Sequence, residues 1–266
     1  MTIFQAIILA IVEGLTEFLP VSSTGHMIVA SSLMGIHQEE FTKLFEVAVQ
    51  FGTIISVVVL YWKKFFDFKK FDFYIKLFIA VIPALALGAI FSDKIDALLE
   101  SPTTVAVMLI LGGIVFLFID KIFLKGNIQV EPEISRKNAF IVGFWQCIAM
   151  IPGVSRSAAS IIGGLQQGFT RKLAAEFSFF LAVPTMAAAT GYKLLKAWLD
   201  NPEMLANAEN IKALAIGNIV GFLVAILAIK FFIGFVQKFG FRYFGYYRII
   251  AGIAILILLA TGVMHK

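Results

Sequence analysis

Apolar runs of about twenty residues recur along this chain, and each is long enough to cross a hydrocarbon core about 30 Å thick as a helix. The clean runs are approximately 41–62, 71–91, 104–124, 172–197, 211–233 and 246–264. Two further apolar regions, 1–35 and 138–168, are interrupted near their middles by Pro20 and by Pro152-Gly153. Neither half of such a region crosses alone. Each therefore reads as a re-entrant pair of short helices that enters and leaves on one face, because backbone without helical hydrogen bonds is tolerated at membrane depth only inside protein. With 60% hydrophobic residues, 15% charged ones and a mean hydropathy of +0.92, a soluble domain is excluded. The fold class is all-α, a polytopic membrane protein forming one membrane domain over 1–266.

The two broken regions resemble each other. The first reads EGLTEFLPVSSTGH and the second QCIAMIPGVSRSAA, with Glu13 and Gln146 separated by 133 residues. At the same offset Ser22 falls on Ser155, Ser23 on Arg156 and Thr24 on Ser157. Each broken region is followed by three clean runs, so the chain divides at about residue 130 into halves of approximately 1–130 and 131–266. An odd number of crossings per half turns the second copy over, which is the inverted-topology repeat.

Lys and Arg set the orientation. With the amino terminus outside, fifteen basic residues fall on the inner side, among them Lys63, Lys64, Lys70, Lys76, Lys125 and Arg248. Six fall outside (Lys43, Lys94, Lys193, Lys196, Lys212 and Lys266), and Arg156 is left within the membrane. The positive-inside rule favours this arrangement, with both termini outside and the hairpins entering from opposite faces. MTIFQAIILAIVEGL has no basic leader and is interrupted by Glu13, so no cleaved signal peptide is expected. The formal charge of +5 is scattered at helix ends and does not indicate a nucleic-acid partner. The single Cys147 fits no disulfide and no metal spacing.

The polar strips carry the chemistry. Glu13 and Glu17 are four apart and share one helix face. Ser22, Ser23 and Thr24 are N-cap candidates for the following helix, which runs to about Leu33 with His26 in its first turn. Ser155 and Ser157 can cap a helix whose start carries Arg156. Two helix amino ends aimed at one buried spot form an anion site suited to phosphate. Capping alone would explain Ser22, Ser155 and Ser157, and a satisfied interior imidazole would explain His26. The acids and Arg156 resist such accounts, since an ionised group at the bilayer centre costs roughly 2.5–3.5 kcal/mol on insertion scales. Phosphoryl transfer uses the whole set. Arg156 offers a fork for phosphate oxygens, and Glu13 and Glu17 offer hard oxygen ligands for Mg²⁺ or Ca²⁺. Ser23 or Ser22 could attack, with His26 one helical turn along. A substrate reaching an intramembrane site is expected to be a lipid.

At these residues the chain resembles the undecaprenyl-diphosphate phosphatase family of bacterial membranes, also called the bacitracin-resistance family. The motifs carrying the resemblance are EGLTEFLPVSSTGH, FEVAVQFGTI, PGVSRSAASIIGGL and EFSFFLAVP. It implies a multi-pass, metal-dependent enzyme of the bacterial cell membrane that removes the terminal phosphate of undecaprenyl diphosphate, recycling the carrier lipid for cell-wall synthesis and giving bacitracin resistance. Its active site is expected to open to the outer face. The resemblance further implies Glu13 and Glu17 as an acidic pair serving metal or histidine, Ser23 as nucleophile with Ser22 or water as rivals, His26 as general base or acid, and Arg156 as the diphosphate grip. Thr24, Ser155 and Ser157 would line the same pocket. Where the family often has Gly after SRS, this chain has Ala158, a change that should not abolish activity.

A transporter or flippase of lipid phosphate is the alternative, because broken helices meeting at midplane also suit carriage. Carriage needs no nucleophile. A phosphatidate-phosphatase motif would require His where Ile162 stands. Glu46, with Gln50 one turn on, is read as pocket wall, metal contact or cap partner, Glu176 as a cap partner, and Asp120 as an ion pair with Lys121. Residues 63–76 read as an interfacial loop held by membrane lipid. His37 and His265 receive no role, and a homodimer is compatible with the sequence.

Overall fold

Helix caps and apolar length together fix where each element starts and stops. The computed structural model describes residues 1–69, 71–99, 101–123 and 126–264, without the side chains of 92–99. Lys70, Lys125, His265 and Lys266, and the side chain of Lys94, lie outside the described residues.

The first broken region forms α1 (Ile3–Thr16) and α2 (Ser23–Leu33). The run after it forms α3 (Glu40–Ala48) and α4 (Gln50–Leu60), which together make one crossing length, then the single turn α5 (Trp62–Phe65). Two long helices follow, α6 (Phe71–Leu99) and α7 (Pro102–Ile122). The second broken region forms α8 (Arg136–Gln146), a 3-10 turn at Cys147–Met150 and α9 (Arg156–Gln166). The chain ends in α10 (Arg171–Asp200), the short α11 (Pro202–Ala206), α12 (Ala208–Phe239) and α13 (Arg242–Ala260). Among the described residues six helices or paired helices are long and apolar enough to cross a membrane, and they overlap the six clean runs. Both broken regions are broken in the structure as the sequence predicts. The first break begins earlier than expected, because α1 ends at Thr16 rather than at Pro20.

The two broken regions begin alike. Thr2 caps α1 and Ser135 caps α8, each reciprocated three residues on, by Gln5 accepting from Thr2 N at 2.7 Å and Asn138 from Ser135 N at 3.1 Å. Such a box satisfies two of the amide donors that a helix start leaves unpaired. α1 packs on α12 and α8 on α6, while α4 meets α10 and α7 meets α13.

In lipid, association depends on close packing rather than on water exclusion, so small residues mark the tightest crossings. A Cβ on Gly14 would come 2.8 Å from the Gly221 carbonyl, and one on Gly245 would come 2.8 Å from that of Gly113. Phenylalanines fill the interior, with Phe18 edge-on to Phe179 and Phe180 meeting Tyr61, Phe65 and Phe73. Leu227, Phe231 and Ile250 face outward from α12 and α13, as lipid-facing positions should.

Three charges sit differently from the sequence reading. Asp120 pairs with Arg171 at 2.7 Å rather than with Lys121, and also accepts from the amides of Phe241 and Arg242, tying α7 to α10 and capping α13. Its neighbour along the chain points round the helix, whereas α10 and α13 bring donors to it from outside. Lys76, counted as an inner-side charge, is buried and paired with Asp72 at 3.0 Å and Glu131 at 3.1 Å. Arg248, counted likewise, is wholly buried among backbone carbonyls. In the loop after α2, His37 lies 3.0 Å from Ser31 Oγ, and partial burial with the Lys43 charge holds its imidazole below the usual range.

Candidate active site

The two breaks share an uncommon backbone. Ser22 has φ 68° and Ser155 has φ 75°, and they are the two non-glycine residues with positive φ among those described. Residues in such regions cost of order 1–3 kcal/mol each and persist where the surroundings enforce them, often at functional sites. Both serines cap the helix that follows, Ser22 Oγ accepting from Gly25 N at 3.4 Å and Ser155 Oγ from Ala158 N at 3.2 Å. Strain at each cap aims the amino ends of α2 and α9 into a common cavity.

That cavity has a volume of about 130 Å³ and is lined by Glu17, Ser22, Ser23, Thr24, Gln50, Ser155 and Arg156, with Ala149, Pro152, Gly153 and Met186 supplying its apolar wall. Its centre is the Glu17 carboxylate. Ser23 Oγ donates to Glu17 Oε2 at 2.5 Å, and Arg156 Nη2 donates to Glu17 Oε1 at 3.1 Å. Arg156 is held from the far side by α10, its Nη1 donating to Ser178 O at 2.8 Å and to Ser178 Oγ at 3.2 Å. Its Nε is buried with no hydrogen-bond partner. A buried guanidinium donor without an acceptor is costly and marks a place for an anion's oxygen.

The remaining sequence-predicted residues are placed apart from the lining. Glu13 is buried beside Glu17, one turn before it on α1, with Oε1 lacking a partner. Glu46 lies within its electrostatic reach and also has an orphaned Oε1. Ser157 caps nothing and instead donates to Phe18 O at 2.8 Å, joining α9 to the first break. His26 faces away from the Ser23–Glu17 contact, with Nδ1 2.8 Å from Ser22 O and Nε2 2.6 Å from Tyr247 Oη, the two rings stacked at 5.6 Å. Glu176 is met by Tyr61 Oη at 3.4 Å and Lys172 at 3.9 Å, so it caps no hairpin. Ser178, Met186 and Tyr247 escaped the sequence reading, since nothing along the chain ties a serine, methionine or tyrosine within a long run to a distant motif.

The donor set suits a hard cation. Carboxylate oxygens of Glu13 and Glu17 are the ligand type that Mg²⁺ and Ca²⁺ take, and the orphaned Glu13 oxygen is a ready ligand. Among the described residues no group of three His, Cys, Asp or Glu side chains is arranged to hold a metal by itself. Water or phosphate oxygens would complete the shell, as is usual for Mg²⁺.

A family model described as bacitracin resistance protein BacA matches residues 6–254. An undecaprenyl-diphosphatase of Flavobacterium psychrophilum is 60% identical over 258 residues, covering 97% of this chain and 96% of the relative. One from Flavobacterium johnsoniae is 56% identical over 259 residues, with 97% and 96% covered. One from Porphyromonas gingivalis is 50% identical over 280 residues, with 99% of each covered.

Proposed function

The chain belongs to the bacitracin resistance protein BacA family, and from that premise we propose that it is an integral membrane undecaprenyl-diphosphatase, releasing inorganic phosphate and returning undecaprenyl phosphate to cell-wall synthesis. The single observation carrying this reading is the shared Glu17 carboxylate, bonded on one oxygen to Ser23 and on the other to Arg156. A hydroxyl whose proton is already directed at a carboxylate is an activated nucleophile, and a guanidinium beside it neutralises the phosphate under attack.

In the proposed reaction Ser23 Oγ bonds to the terminal phosphorus as its proton passes to Glu17. The bond from that phosphorus to the bridging oxygen breaks, and the prenyl monophosphate takes up the proton from Glu17. Water then attacks the phosphoserine, freeing phosphate and restoring the Ser23 hydroxyl. Arg156 Nε, which has no partner, holds a phosphate oxygen throughout. Ser22 is less suited to attack because its hydroxyl caps α2. His26, through Tyr247, would serve proton exchange from outside the lining. A divalent cation, Mg²⁺ or Ca²⁺, would be held by Glu13 and Glu17, and when bound it supplies charge neutralisation of the diphosphate.

The inverted repeat belongs to the same proposal. Paired capping boxes and paired positive-φ serines at one constant offset support two related halves, approximately 1–130 and 131–266. So does the correspondence of Ser23–Leu33 with Arg156–Gln166. We place both termini on the outer face, on the strength of the Lys and Arg distribution, and the site's opening there on the family resemblance. Carriage of a lipid phosphate would use the same cavity but has no need of the Ser23–Glu17 contact. The test is phosphate release from C55-prenyl diphosphate by purified protein, with and without divalent metal; no release under either condition overturns the reading.

A further inference from the structure

Among the described residues Arg248 is the largest fully buried side chain, and no carboxylate lies within ion-pair distance of it. All five of its N–H donors go to backbone carbonyls. Nη1 donates to Pro20 O at 2.9 Å and Val154 O at 3.1 Å, Nη2 to Gly153 O at 3.0 Å and Met108 O at 3.2 Å, and Nε to Leu109 O at 3.4 Å. Pro20 precedes Ser22 by two residues in the first break, and Gly153 and Val154 lead directly into Ser155 in the second. One guanidinium thus grips both breaks and α7 at once. Burying a charge costs several kcal/mol unless hydrogen bonds replace its water, and five charge-assisted bonds do so here. The space for it is provided by Gly112, where a Cβ would collide with Nη2.

We infer that Arg248 is a positioning residue, fixing the break that carries Ser23 and Glu17 against the break that carries Arg156. These groups must close on one phosphate although they sit on separate segments, and each segment's backbone turns through a strained serine. An unstrained loop would need no such clamp. A rigid fork with five donors meets five carbonyls in fixed directions, which the three rotatable donors of a lysine ammonium cannot match. The inference rests on the phosphatase reading for its kinetic consequence, but not for its structural one.

Two variants test it. Arg248→Lys keeps the charge and loses the fork; Gly112→Ala leaves Arg248 intact and pushes its guanidinium aside. Both should give folded protein that melts below wild type, since one variant loses part of the carbonyl network and the other crowds it. Turnover of C55-prenyl diphosphate should fall about a hundredfold while KM moves by less than about threefold, as displacement of reacting groups by about 1 Å entails. Hydrogen–deuterium exchange should rise together in segments 17–25 and 150–158 and stay unchanged in α10 and α12. Wild-type kcat in both variants overturns the inference, as does unchanged exchange in the two breaks. A rise spread evenly over all helices also overturns it, since that marks a general structural role. If the wild-type protein itself releases no phosphate, the phosphatase reading falls, and the exchange data alone decide whether Arg248 locks the breaks.

Discussion

Ser23 and Glu17 lie on opposite sides of a chain break, yet the serine hydroxyl donates to the carboxylate at 2.5 Å. The acid nearest the proposed nucleophile is therefore the glutamate, with the imidazole of His26 turned to Tyr247. Glu17→Gln keeps the shape and removes the proton acceptor. It should lower kcat by about 10²–10⁴, the usual worth of a general base, with KM unchanged or lower because Arg156 is released toward phosphate. Steady-state phosphate release measures both; preserved turnover would leave Ser23 without a base.

The two adjacent serines should separate cleanly. Ser23→Ala deletes the attacking oxygen and should cost at least about 10³ in kcat, as loss of a nucleophile does. Ser22→Ala deletes a cap and should cost about 1 kcal/mol of stability, seen as a lower melting temperature, with the smaller loss of turnover. If instead Ser22→Ala is the dead enzyme and Ser23→Ala the weakened one, their roles are exchanged.

What was legible in the chain follows from where each signal resides. The crossing helices and both breaks are written in hydropathy and in Pro20 and Pro152-Gly153, because apolar length and proline act locally. Glu13, Glu17 and Arg156 stand out because a charge in an apolar run is expensive wherever it is seen. The positive φ of Ser22 and Ser155 is invisible, since serine normally avoids that region and the surrounding fold forces it. Arg248 misleads for a related reason. Near the start of an apolar run it looks like a boundary charge, and only α7 and the two breaks, far away in sequence, show that its partners are buried carbonyls.

His26 and Tyr247 form a stacked, hydrogen-bonded pair whose partners are 221 residues apart in the chain. His26→Ala should reduce kcat by about 10² if the imidazole exchanges protons with the site. Tyr247→Phe keeps the stacked ring and loses only the phenol, so it should reduce kcat several-fold at constant KM. Wild-type turnover in both variants would detach the pair from the chemistry.

Chelation tests the acid pair. Glu13 keeps a buried carboxylate oxygen with no hydrogen-bond partner, a donor type that a hard cation ligates. EDTA should abolish phosphate release, and Mg²⁺ or Ca²⁺ should restore it. Glu13→Gln should raise the metal concentration needed for half-maximal activity by about tenfold or more, the lower limit expected when a group serving a metal site is lost. Full activity in EDTA would leave Glu13 and Glu17 as proton handlers alone.

Arg156 divides its donors unevenly. Nη1 is committed to Ser178, Nη2 to Glu17, and Nε to nothing among the described residues. The guanidinium is thus anchored by one nitrogen and oriented by another, leaving a donor for phosphate. Arg156→Lys keeps the positive charge but cannot bond Ser178, Glu17 and an oxyanion in one plane. KM for the prenyl diphosphate should rise by about tenfold or more, because a charge-assisted bond is worth about 1.5–3 kcal/mol. Ser178→Ala should show a weaker form of the same defect, since Ser178 O remains to hold Nη1. Both values come from substrate titrations at saturating metal. A silent Arg156→Lys would mean that point charge suffices and that the unpartnered Nε has no part in holding substrate.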